Sequence, residues 1–203
     1  MIEQLIKVCG RSVSRETFDK LEAYAAILVE ESSKQNLIAA STLENLWQRH
    51  LLDSAQLIRL LRPGSCIDIG SGAGLPGVVI AIVIGDPVTL VEPRRLRTKF
   101  LHDVKSHLSL DNVTIIHGKA TAVSAKFDNI TGRAVAPATE MLAMTRHLSH
   151  SKTVWILPKG RTAQKELDDV RIAWQGTYRL EPSLTDEAAS ILLATGVQPR
   201  GTR

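Results

Sequence analysis

The sequence has little of three features whose abundance would point to particular classes of protein: aromatic residues, cysteines and long apolar runs. Phe, Trp and Tyr make up 4% of the 203 residues, so it lacks the stacking platform that single-strand nucleic-acid binders show. The two cysteines, Cys9 and Cys66, form neither a disulfide framework nor a zinc site. The longest apolar run, around Val78 to Ile84, is far too short to cross a bilayer. We therefore expect no metal and no membrane partner.

The remaining composition is that of an ordinary globular protein with a core. Hydrophobic residues make up 44% and charged residues 23%, and 203 residues suffice for one α/β domain with a modest extension. The first residues, Met1 to Gln4, lack the basic-then-apolar pattern of a secretory signal. We therefore expect a cytoplasmic protein, and a monomer is the expected state.

The charge is mildly basic and unevenly spread. The formal net charge is +4 and the sequence pI about 9.2. Residues 1–62 contain 8 Lys+Arg and 8 Asp+Glu, so the whole excess falls in residues 63–203. Such an excess fits nucleic acid as a partner, because Lys and Arg replace counterions along a phosphate backbone. Many basic proteins bind no nucleic acid, so charge alone leaves the partner open.

The first sixty residues have a helical pattern. From Ser14 to about Glu31, apolar residues recur at three- and four-residue spacing. A second helix is predicted to start near Ser41, with Glu44 completing a capping box, and to end before Arg62-Pro63-Gly64. The sequence therefore predicts a helical N-terminal extension over residues 1–62, followed by a second unit over residues 63–203.

After Pro63 the pattern alternates between strands and helices. This alternation predicts an α/β fold with a parallel sheet covered by helices on both faces. The predicted strands are Cys66–Ile69, Val88–Val91, Val113–His117, Asn129–Arg133 and Thr153–Leu157, and the predicted helices Gly77–Ile84, Arg95–Leu108, Pro137–Leu148 and Thr162–Ile172. Two further strands, Tyr178–Ser183 and Ala188–Ala194, indicate a terminal antiparallel hairpin and a total of seven strands.

The segment from Asp68 to Gly77 is a glycine-rich turn between a short apolar strand and an apolar helix. Such a turn lets the backbone approach a ligand closely. Gly72, Gly74 and Gly77 satisfy the dinucleotide pattern G-x-G-x-x-G, so a nicotinamide cofactor is one possibility. The alternating Gly70, Gly72 and Gly74, the terminal hairpin, and Asp68 favour S-adenosylmethionine. The carboxylate of Asp68 suits a cofactor with an amino group and a sulfonium better than a pyrophosphate.

Three other residues are candidates for the cofactor site. Glu92 ends the second strand, where a carboxylate can accept both ribose hydroxyls of a nucleoside cofactor of either class. Ala120 and Thr121 follow the third strand, where the adenine ring would lie, and small residues leave room for it. The alternative for Glu92 is a solvated acid at a strand end, and Ala120 and Thr121 are equally compatible with an ordinary loop.

Several segments together resemble one known family. They are Asn36-Leu37, Arg49-His50-Leu51-Leu52-Asp53-Ser54, Asp68 to Gly77, Phe100-Leu101, Arg133-Ala134 and Lys159-Gly160. In this order and spacing they resemble the ribosomal RNA small-subunit methyltransferase G family, also called glucose-inhibited division protein B, over residues 30–195. The resemblance implies a class I, Rossmann-like methyltransferase that methylates N7 of a guanine in 16S rRNA. It also implies cofactor contacts at Gly70, Leu75, Ala120 and Thr121, with Arg133 at the end of the fourth strand.

The chain departs from that family's pattern at two positions. The family usually has an acidic residue where Thr121 stands and a lysine where Leu96 stands. The first departure concerns a contact on the adenine side of the cofactor. The second leaves Arg95 or Arg97 to supply the missing positive charge.

The implied reaction needs no general base, and the sequence has no obvious catalytic triad. N7 of guanine carries a lone pair and no proton, so the enzyme's task is to hold nucleophile and methyl group in line. We therefore assign no catalytic residue. Methylation of cytosine C5 needs a cysteine nucleophile, but Cys66 lies within a predicted strand. Exocyclic adenine methylation typically uses an Asn/Asp-Pro-Pro-aromatic turn, and here the segment from Arg133 to Pro137 lacks that pattern.

Basic and polar residues outside the turn are candidates for RNA contacts. Arg49, His50 and Asp53 either border the cofactor or guanine pocket or pin the extension to the α/β unit. Arg95 and Arg97 lie on a basic helix face that is either solvated or grips phosphates. Lys159 ends a buried strand at the edge where open α/β sheets bind ligands, so it is a candidate phosphate contact.

Two alternative functions remain open from the residues alone. One is an NAD(P)-dependent oxidoreductase, against which Asp68 and the terminal hairpin argue. The other is a catalytically silent RNA-binding module, which Thr121 and Leu96 suggest. The expected partner is 16S rRNA, as naked RNA, as the small ribosomal subunit or as an assembly intermediate.

Overall fold

The computed structural model describes residues 1–200. Its centre is a seven-stranded sheet of order β3-β2-β1-β4-β5-β7-β6. Strands β1 to β5 are parallel, β7 runs antiparallel to β5, and β6 pairs antiparallel with β7. The strands are β1 (Cys66–Ile69), β2 (Val88–Glu92), β3 (Val113–His117), β4 (Asn129–Thr131), β5 (Val154–Lys159), β6 (Trp174–Pro182) and β7 (Ser190–Pro199). The predicted mostly parallel sheet with a terminal hairpin is confirmed.

Helices cover the sheet on both faces. They are α1 (Ile2–Cys9), α2 (Arg15–Ser32), α3 (Asp53–Ala55), α4 (Gly77–Ile84), α5 (Arg95–His107), α6 (Ala138–Thr145) and α7 (Ala163–Ala173). Helix α2 begins where the Ser14 hydroxyl accepts a hydrogen bond from the Thr17 amide. Every residue of β1 is buried, as expected for a central parallel strand. None of the helices within residues 1–200 has the length and apolar character needed to span a membrane.

The prediction of a second, regular helix is wrong. In place of one regular helix from Ser41, the chain makes a 3-10 turn (Ala40–Asn45), a π-turn (Trp47–Leu52), α3 and a further 3-10 turn (Gln56–Leu60). The capping box is absent as well, since the cap residue is Ala39 and no side chain caps the turn. The local sequence pattern favours a regular helix, but tertiary contacts give this segment irregular turns instead. These turns direct Arg49, His50 and Asp53 toward the sheet edge.

Smaller differences concern element ends. Helix α1 was not predicted, and β4 ends at Thr131 rather than at Arg133. Both hairpin strands are longer than predicted. Strand β6 begins at Trp174, and β7 extends to Pro199. Arg133 therefore lies in the loop after β4. Its side chain turns toward the run of irregular turns over residues 40–60, the broken helical segment.

The core is divided by the sheet. One cluster of buried residues lies on the opposite face to the N-terminal helices and includes Ile130 and Trp155. A second cluster joins the N-terminal helices to the α/β unit, bringing Leu21 and Leu28 together with Val79 and Leu101, and a third, smaller one packs Leu57 against β5 and β7. The N-terminal helices are thus packed into the core of the protein. The division into residues 1–62 and 63–203 as separate domains stays a prediction.

Candidate active site

The topology places a crevice between β1 and β4. These two strands are neighbours in the sheet, but the chain leaves β1 toward β2 and β3 on one side and returns to β4 and β5 on the other. In open α/β sheets, ligands bind at the carboxyl ends of the strands at such a switch point. The glycine turn follows β1 and the loop from Gly132 to Pro137 follows β4, so both line this crevice.

The glycine turn uses backbone conformations that other residues adopt at a cost. Gly70, Gly72 and Gly74 have φ angles of +65°, +56° and +90°. A Cβ atom at Gly70 would lie 2.9 Å from Cγ2 of Val135, so the loop after β4 packs directly on the first glycine. The two sides of the crevice are therefore in contact at this point.

Gly77 is required for a different reason, namely the close approach of α4 to β1 and β2. A Cβ atom there would lie 2.3 Å from Cδ2 of Leu90 and 2.8 Å from Oδ2 of Asp68. The bare backbone lets the Gly77 amide donate a hydrogen bond of 3.1 Å to that same Asp68 oxygen. Gly77 thus fixes the orientation of the Asp68 carboxyl group.

Asp68 is buried beneath the turn and is only half satisfied. Its Oδ1 atom has no hydrogen-bond partner among the described residues, although buried polar atoms are almost always paired. Burial raises the pKa of this carboxyl to about 7, against the opposing effect of the Gly77 amide. An unpaired buried carboxylate oxygen next to a glycine turn fits a ligand that brings a cationic donor, which the amino group of S-adenosylmethionine supplies.

Glu92 lies at the end of β2 and is also buried. Its Oε2 atom accepts a hydrogen bond of 2.8 Å from the Gly72 amide, and its Oε1 atom accepts one of 2.8 Å from the Arg94 amide. The carboxylate therefore ties the glycine turn to the start of α5. Each oxygen retains a second lone pair, so the contact with ribose hydroxyls stays a prediction.

The predicted adenine-side residues lie in a short 3-10 turn, Ala120–Ala122. Ala120 is buried and Thr121 is exposed. Nε2 of His147 lies 3.1 Å from the Ala120 carbonyl oxygen and 3.2 Å from that of Val123, so the imidazole holds this turn. Sequence reasoning missed His147, which lies in a 3-10 turn remote in the chain. Leu75 is buried at the end of the glycine turn.

A tyrosine of the N-terminal helices also holds the glycine turn. Tyr24 on α2 is fully buried, and its hydroxyl donates a hydrogen bond of 2.6 Å to the Ala73 carbonyl. Burial raises the pKa of this phenol, so it remains a donor. The spacing of α2 marked this face as apolar, and no local signal indicated a hydrogen bond to a turn 49 residues away.

A pocket of about 560 Å³ lies on the β4 side of the crevice. Four parts of the chain form it: the broken helical segment, the loop after β4, the end of β5 with the start of α7, and the β6–β7 loop. Among the predicted substrate residues, Arg49, His50, Asp53 and Lys159 all line it. Arg133, predicted at the cofactor, lines it too. The pocket is large enough for a purine base.

Arg133 is held from one wall of the pocket by residues of the broken helical segment. Its Nη1 atom lies 3.2 Å from Oδ2 of Asp53, and its Nη2 atom lies 3.2 Å from Nδ1 of His50. Since a guanidinium can only donate, Nδ1 of His50 is the acceptor, and Nε2 donates to Oγ1 of Thr42 at 2.7 Å. Burial and the Arg133 charge lower the pKa of His50 to about 4, so the imidazole is neutral near pH 7.

The β6–β7 loop is tied to the same wall. Oδ1 of Asp53 accepts hydrogen bonds from Nε2 of Gln56 and from the Thr185 hydroxyl. Gln56, which is buried, also accepts from the Leu184 amide at 2.7 Å. Arg49 reaches the same loop through an exposed pair with Asp186 at 3.3 Å. Sequence reasoning missed Gln56 and this loop, because the partners lie about 130 residues apart.

Lys159 lies on the opposite wall in a part-buried ion pair. Its Nζ atom is 2.9 Å from Oε2 of Glu166 on α7 and donates to the Ala136 carbonyl at 3.0 Å. Oε2 of Glu166 also accepts from the Ala138 amide. Burial acts to raise the pKa of Glu166, but the hydrogen bonds from Lys159 and Ala138 outweigh it and lower the pKa. Together, Lys159 and Glu166 hold both ends of the segment Ala136–Ala138, and sequence reasoning missed Glu166.

The structure does not bring Arg95 and Arg97 into this pocket. Both are on α5, and Arg97 donates from Nη2 to the Asn36 carbonyl at 3.3 Å. Its Nη1 atom would lie 3.4 Å from a Cβ atom at Gly72, so the guanidinium covers the outside of the glycine turn. Leu96, where a lysine was expected, is 68% exposed. Arg95 is exposed beside it.

The cysteines are placed as structural thiols. Cys9 and Cys66 are both buried, and burial raises the pKa of Cys9 to about 11 and that of Cys66 further. A raised pKa keeps a thiol protonated and unreactive. Within residues 1–200, no group of His, Cys, Asp and Glu side chains has the arrangement of a metal site.

Comparisons with known proteins agree on one family. The model of the family described as rRNA small subunit methyltransferase G matches residues 17–187. The chain is 44% identical over 195 residues to the ribosomal RNA small subunit methyltransferase G of Rhizorhabdus wittichii, covering 93% of this chain and 90% of the relative. It is 43% identical to the protein of that name from Zymomonas mobilis, again covering 93% and 90%.

Solved structures share the fold at low sequence identity. A SAM-dependent methyltransferase from Aquifex aeolicus superposes with a TM-score of 0.61 at 12% identity, covering 82% of this chain and 98% of that one. The fibrillarin pre-rRNA processing protein of Methanococcus jannaschii superposes with a TM-score of 0.54 at 13% identity, covering 68% of each chain. These likenesses establish the class I fold and nothing finer.

Proposed function

The chain belongs to the ribosomal RNA small subunit methyltransferase G family, and from that premise we propose that it transfers the methyl group of S-adenosylmethionine to N7 of a guanine in 16S rRNA. The observation that carries the proposal is Asp68, whose unpaired buried oxygen lies under a glycine turn that directly adjoins a purine-sized pocket. A methyl donor on one side and a base on the other are what such a reaction requires.

The residues that would hold the cofactor surround the ends of β1 to β4. Asp68 would receive its amino group, Glu92 its ribose hydroxyls, and the backbone of the glycine turn its central part. The set is Asp68, Gly70, Gly72, Gly74, Leu75, Glu92, Ala120 and Thr121, and Arg133, which lines the adjoining pocket, would border both the cofactor and the base. When bound, S-adenosylmethionine supplies a methyl group on a sulfonium, which a neutral nitrogen lone pair can attack.

The chain's own contribution is positioning. No residue needs to remove a proton from N7, and the histidine that lines the pocket, His50, already uses its Nδ1 lone pair to accept from Arg133. Arg133 is fixed by Asp53, and the loop after β4 is fixed by Lys159 and Glu166. Rigid walls that hold a base next to the methyl donor accelerate transfer by proximity and orientation.

The family's name points to small-subunit rRNA as the partner. We propose that the protein acts as a monomer in the cytoplasm on the small subunit or on an assembly intermediate, with Arg95 and Arg97 of α5 outside the pocket as phosphate contacts. The helical residues 1–62 supply one pocket wall and, through Tyr24, a brace for the glycine turn. An oxidoreductase and a silent RNA-binding module are not favoured, because the matched relatives are named as methyltransferases.

The proposal is tested by mapping methylation on small-subunit rRNA from cells with and without the gene, by primer extension and mass spectrometry. We expect a single N7-methylguanosine to be lost with the gene and restored by the intact gene. A Gly70→Asp variant should fail to restore it, because a side chain there collides with Val135 at a positive φ.

Gly85→Asp is the matched control, since that glycine lies outside the pocket and also has a positive φ, of +73°, but a Cβ there meets nothing within 4 Å. It should restore the modification. An unchanged rRNA map on deletion would refute the assigned substrate while leaving the fold and the family in place.

A further inference from the structure

We propose that Lys159 recognises the base that enters the pocket, by donating a hydrogen bond to a ring carbonyl oxygen, the O6 of guanine. The inference rests on the proposed function and names the residue that gives it base specificity. It departs from the expectation of a phosphate contact at this lysine.

The Nζ atom of Lys159 has one hydrogen-bond donor that its described partners leave unused. A lysine ammonium has three N–H donors, and the described partners, Oε2 of Glu166 and the Ala136 carbonyl, use two of them. The side chain is 10% exposed, so water has little access to the third. Because Lys159 lines the pocket, that donor is available to a ligand there. A buried charged donor gains most from an acceptor.

The charge of the pocket favours a neutral acceptor over a phosphate. Its two inner cations, Arg133 and Lys159, are each paired with a carboxylate, Asp53 at 3.2 Å and Glu166 at 2.9 Å. The inner walls are therefore close to neutral. A phosphate would have to approach Lys159 beside the negative charge of Glu166, and it would lose its hydration in a part-buried space. A neutral base oxygen carries neither cost.

The position of Lys159 also suits a base that must lie close to the cofactor turn. Lys159 holds Ala136, and Val135 of the same loop packs on Gly70 of the cofactor turn. A base held by Lys159 therefore lies next to the methyl donor. Guanine presents O6 and N7 on one edge, so a hydrogen bond to O6 brings N7 to the same side of the pocket.

The same contact discriminates between purines. Adenine carries an amino group in place of O6, so it would present a donor to the Lys159 ammonium. A buried donor left facing another donor costs the full desolvation of both groups. The Lys159 contact alone would then make the pocket bind guanine in preference to adenine. Contacts with the rest of the base would not be needed for this discrimination.

The experiment replaces one atom of the substrate. Small-subunit RNA is ligated with either guanine or 6-thioguanine at the position mapped above, assembled into subunits, and methylated by the full chain with S-adenosylmethionine. Sulfur is a much weaker acceptor than oxygen, and the change leaves N7 and N1–H in place. For the wild type we expect kcat/KM to fall about tenfold with 6-thioguanine, the effect of a lost charged hydrogen bond.

Two variants locate the effect. Lys159→Met combined with Glu166→Gln removes the ammonium without leaving a buried carboxylate unpaired, and the glutamine oxygen can still accept from the Ala138 amide. Glu166→Gln alone retains Lys159 and is the matched control. We expect the thio effect to persist in the control and to fall below about twofold in the double variant. Affinity for S-adenosylhomocysteine verifies that each variant is folded.

A thio effect of equal size in the wild type and the double variant would overturn the proposal and leave the methyltransferase assignment intact. A phosphate contact would give that result, with both substrates weakened equally by loss of the lysine. Absence of any thio effect in the wild type would also overturn it, and this comparison needs no variant. If the wild type methylates no guanine, the proposed function and this inference fail together.

Discussion

The two sides of the crevice are built in different ways. On the side proposed for the cofactor, called the cofactor side, the residues from Asp68 to Gly77 are contiguous, and their geometry is set by glycines and by hydrogen bonds from backbone amides to Asp68 and Glu92. On the acceptor side, the pocket is formed by side-chain pairs such as Arg133–Asp53 and Lys159–Glu166, whose members come from distant parts of the chain.

Because they are built differently, the two sides of the crevice differ in how strongly single substitutions change them. A turn fixed by its backbone holds the same cofactor with little dependence on the rest of the fold. A pocket made by pairs of side chains changes its shape and charge with single substitutions in separate elements. We therefore expect changes on the cofactor side to affect the binding of S-adenosylmethionine, and changes on the acceptor side to affect methyl transfer to RNA.

The largest effect is expected at Gly77. Alanine there would place a Cβ 2.3 Å from Leu90 and 2.8 Å from Asp68, so either α4 or the carboxyl must move. We expect at least about a 100-fold loss of affinity for S-adenosylmethionine by calorimetry, with destabilisation of about 1–3 kcal/mol. Gly160→Ala is the control and should bind normally. Normal binding by Gly77→Ala would contradict the claim that backbone contact sets the cofactor site.

Asp68 should make cofactor binding depend on pH. Only the ionised carboxyl attracts the amino group, and its pKa of about 7 leaves part of the free protein protonated at neutral pH. We expect affinity to rise with pH through 7 and then level off. Asp68→Asn should lose about 10–100-fold in affinity and show no such pH dependence. An asparagine variant that retained the wild-type pH profile would exclude Asp68 as the titrating group.

The same carboxyl should affect the stability of the cofactor-free protein. Its folded-state pKa is raised, so the folded protein binds more protons than the unfolded chain, and this contribution to stability is lost as pH rises through about 7. This loss begins near the unfolded pKa of 3.8, so Asp68→Asn should be more stable than the wild type by about 2–4 kcal/mol at pH 8 and should differ from it least at pH 4. Thermal or urea unfolding at both pH values measures this difference.

A smaller effect is expected from the acceptor side, where two aspartates form a matched pair. Asp53→Asn weakens the part-buried contact with Arg133, and we expect about a tenfold loss of methyl transfer to small subunits. Asp186→Asn breaks the exposed pair with Arg49 and should change the rate less than about twofold. Equal losses in the two variants would show that burial of the Arg133 pair is not what matters.

The smallest effect is expected at Tyr24, far from the acceptor pocket. Tyr24→Phe leaves the Ala73 carbonyl without its buried donor. We expect affinity for S-adenosylmethionine to fall about three- to tenfold. The KM for RNA should be unchanged, because this change lies on the cofactor side. A change confined to the RNA KM would contradict the comparison between the two sides.

The same difference between the two sides determines how well each of them is predicted from the sequence alone. Strands β1 and β3 and helix α4 were predicted to the residue, because apolar runs bounded by glycine and proline are local signals. The glycine turn and Asp68 were predicted for the same reason. The regular helix from Ser41 was wrong, because its turns are set by the sheet edge on which they pack.

The acceptor pocket was predicted only in part. Arg49, His50, Asp53 and Lys159 were identified as candidates, and the structure brings all four to one pocket. Their partners Glu166, Gln56 and Thr185 were not, since each pair joins elements whose distance in space a single sequence does not reveal. The unpaired oxygen of Asp68 was equally inaccessible, because it follows from the packing of α4 against β1.

The most direct test of the account is a crystal structure of the full chain with S-adenosylhomocysteine. We predict that its amino group is hydrogen-bonded to Asp68, directly or through one water, that its ribose lies at Glu92, and that the pocket between Arg133 and Lys159 stays open for a base. A ligand seated in that pocket, with Oδ1 of Asp68 still unpaired, would contradict the division into a cofactor side and an acceptor side.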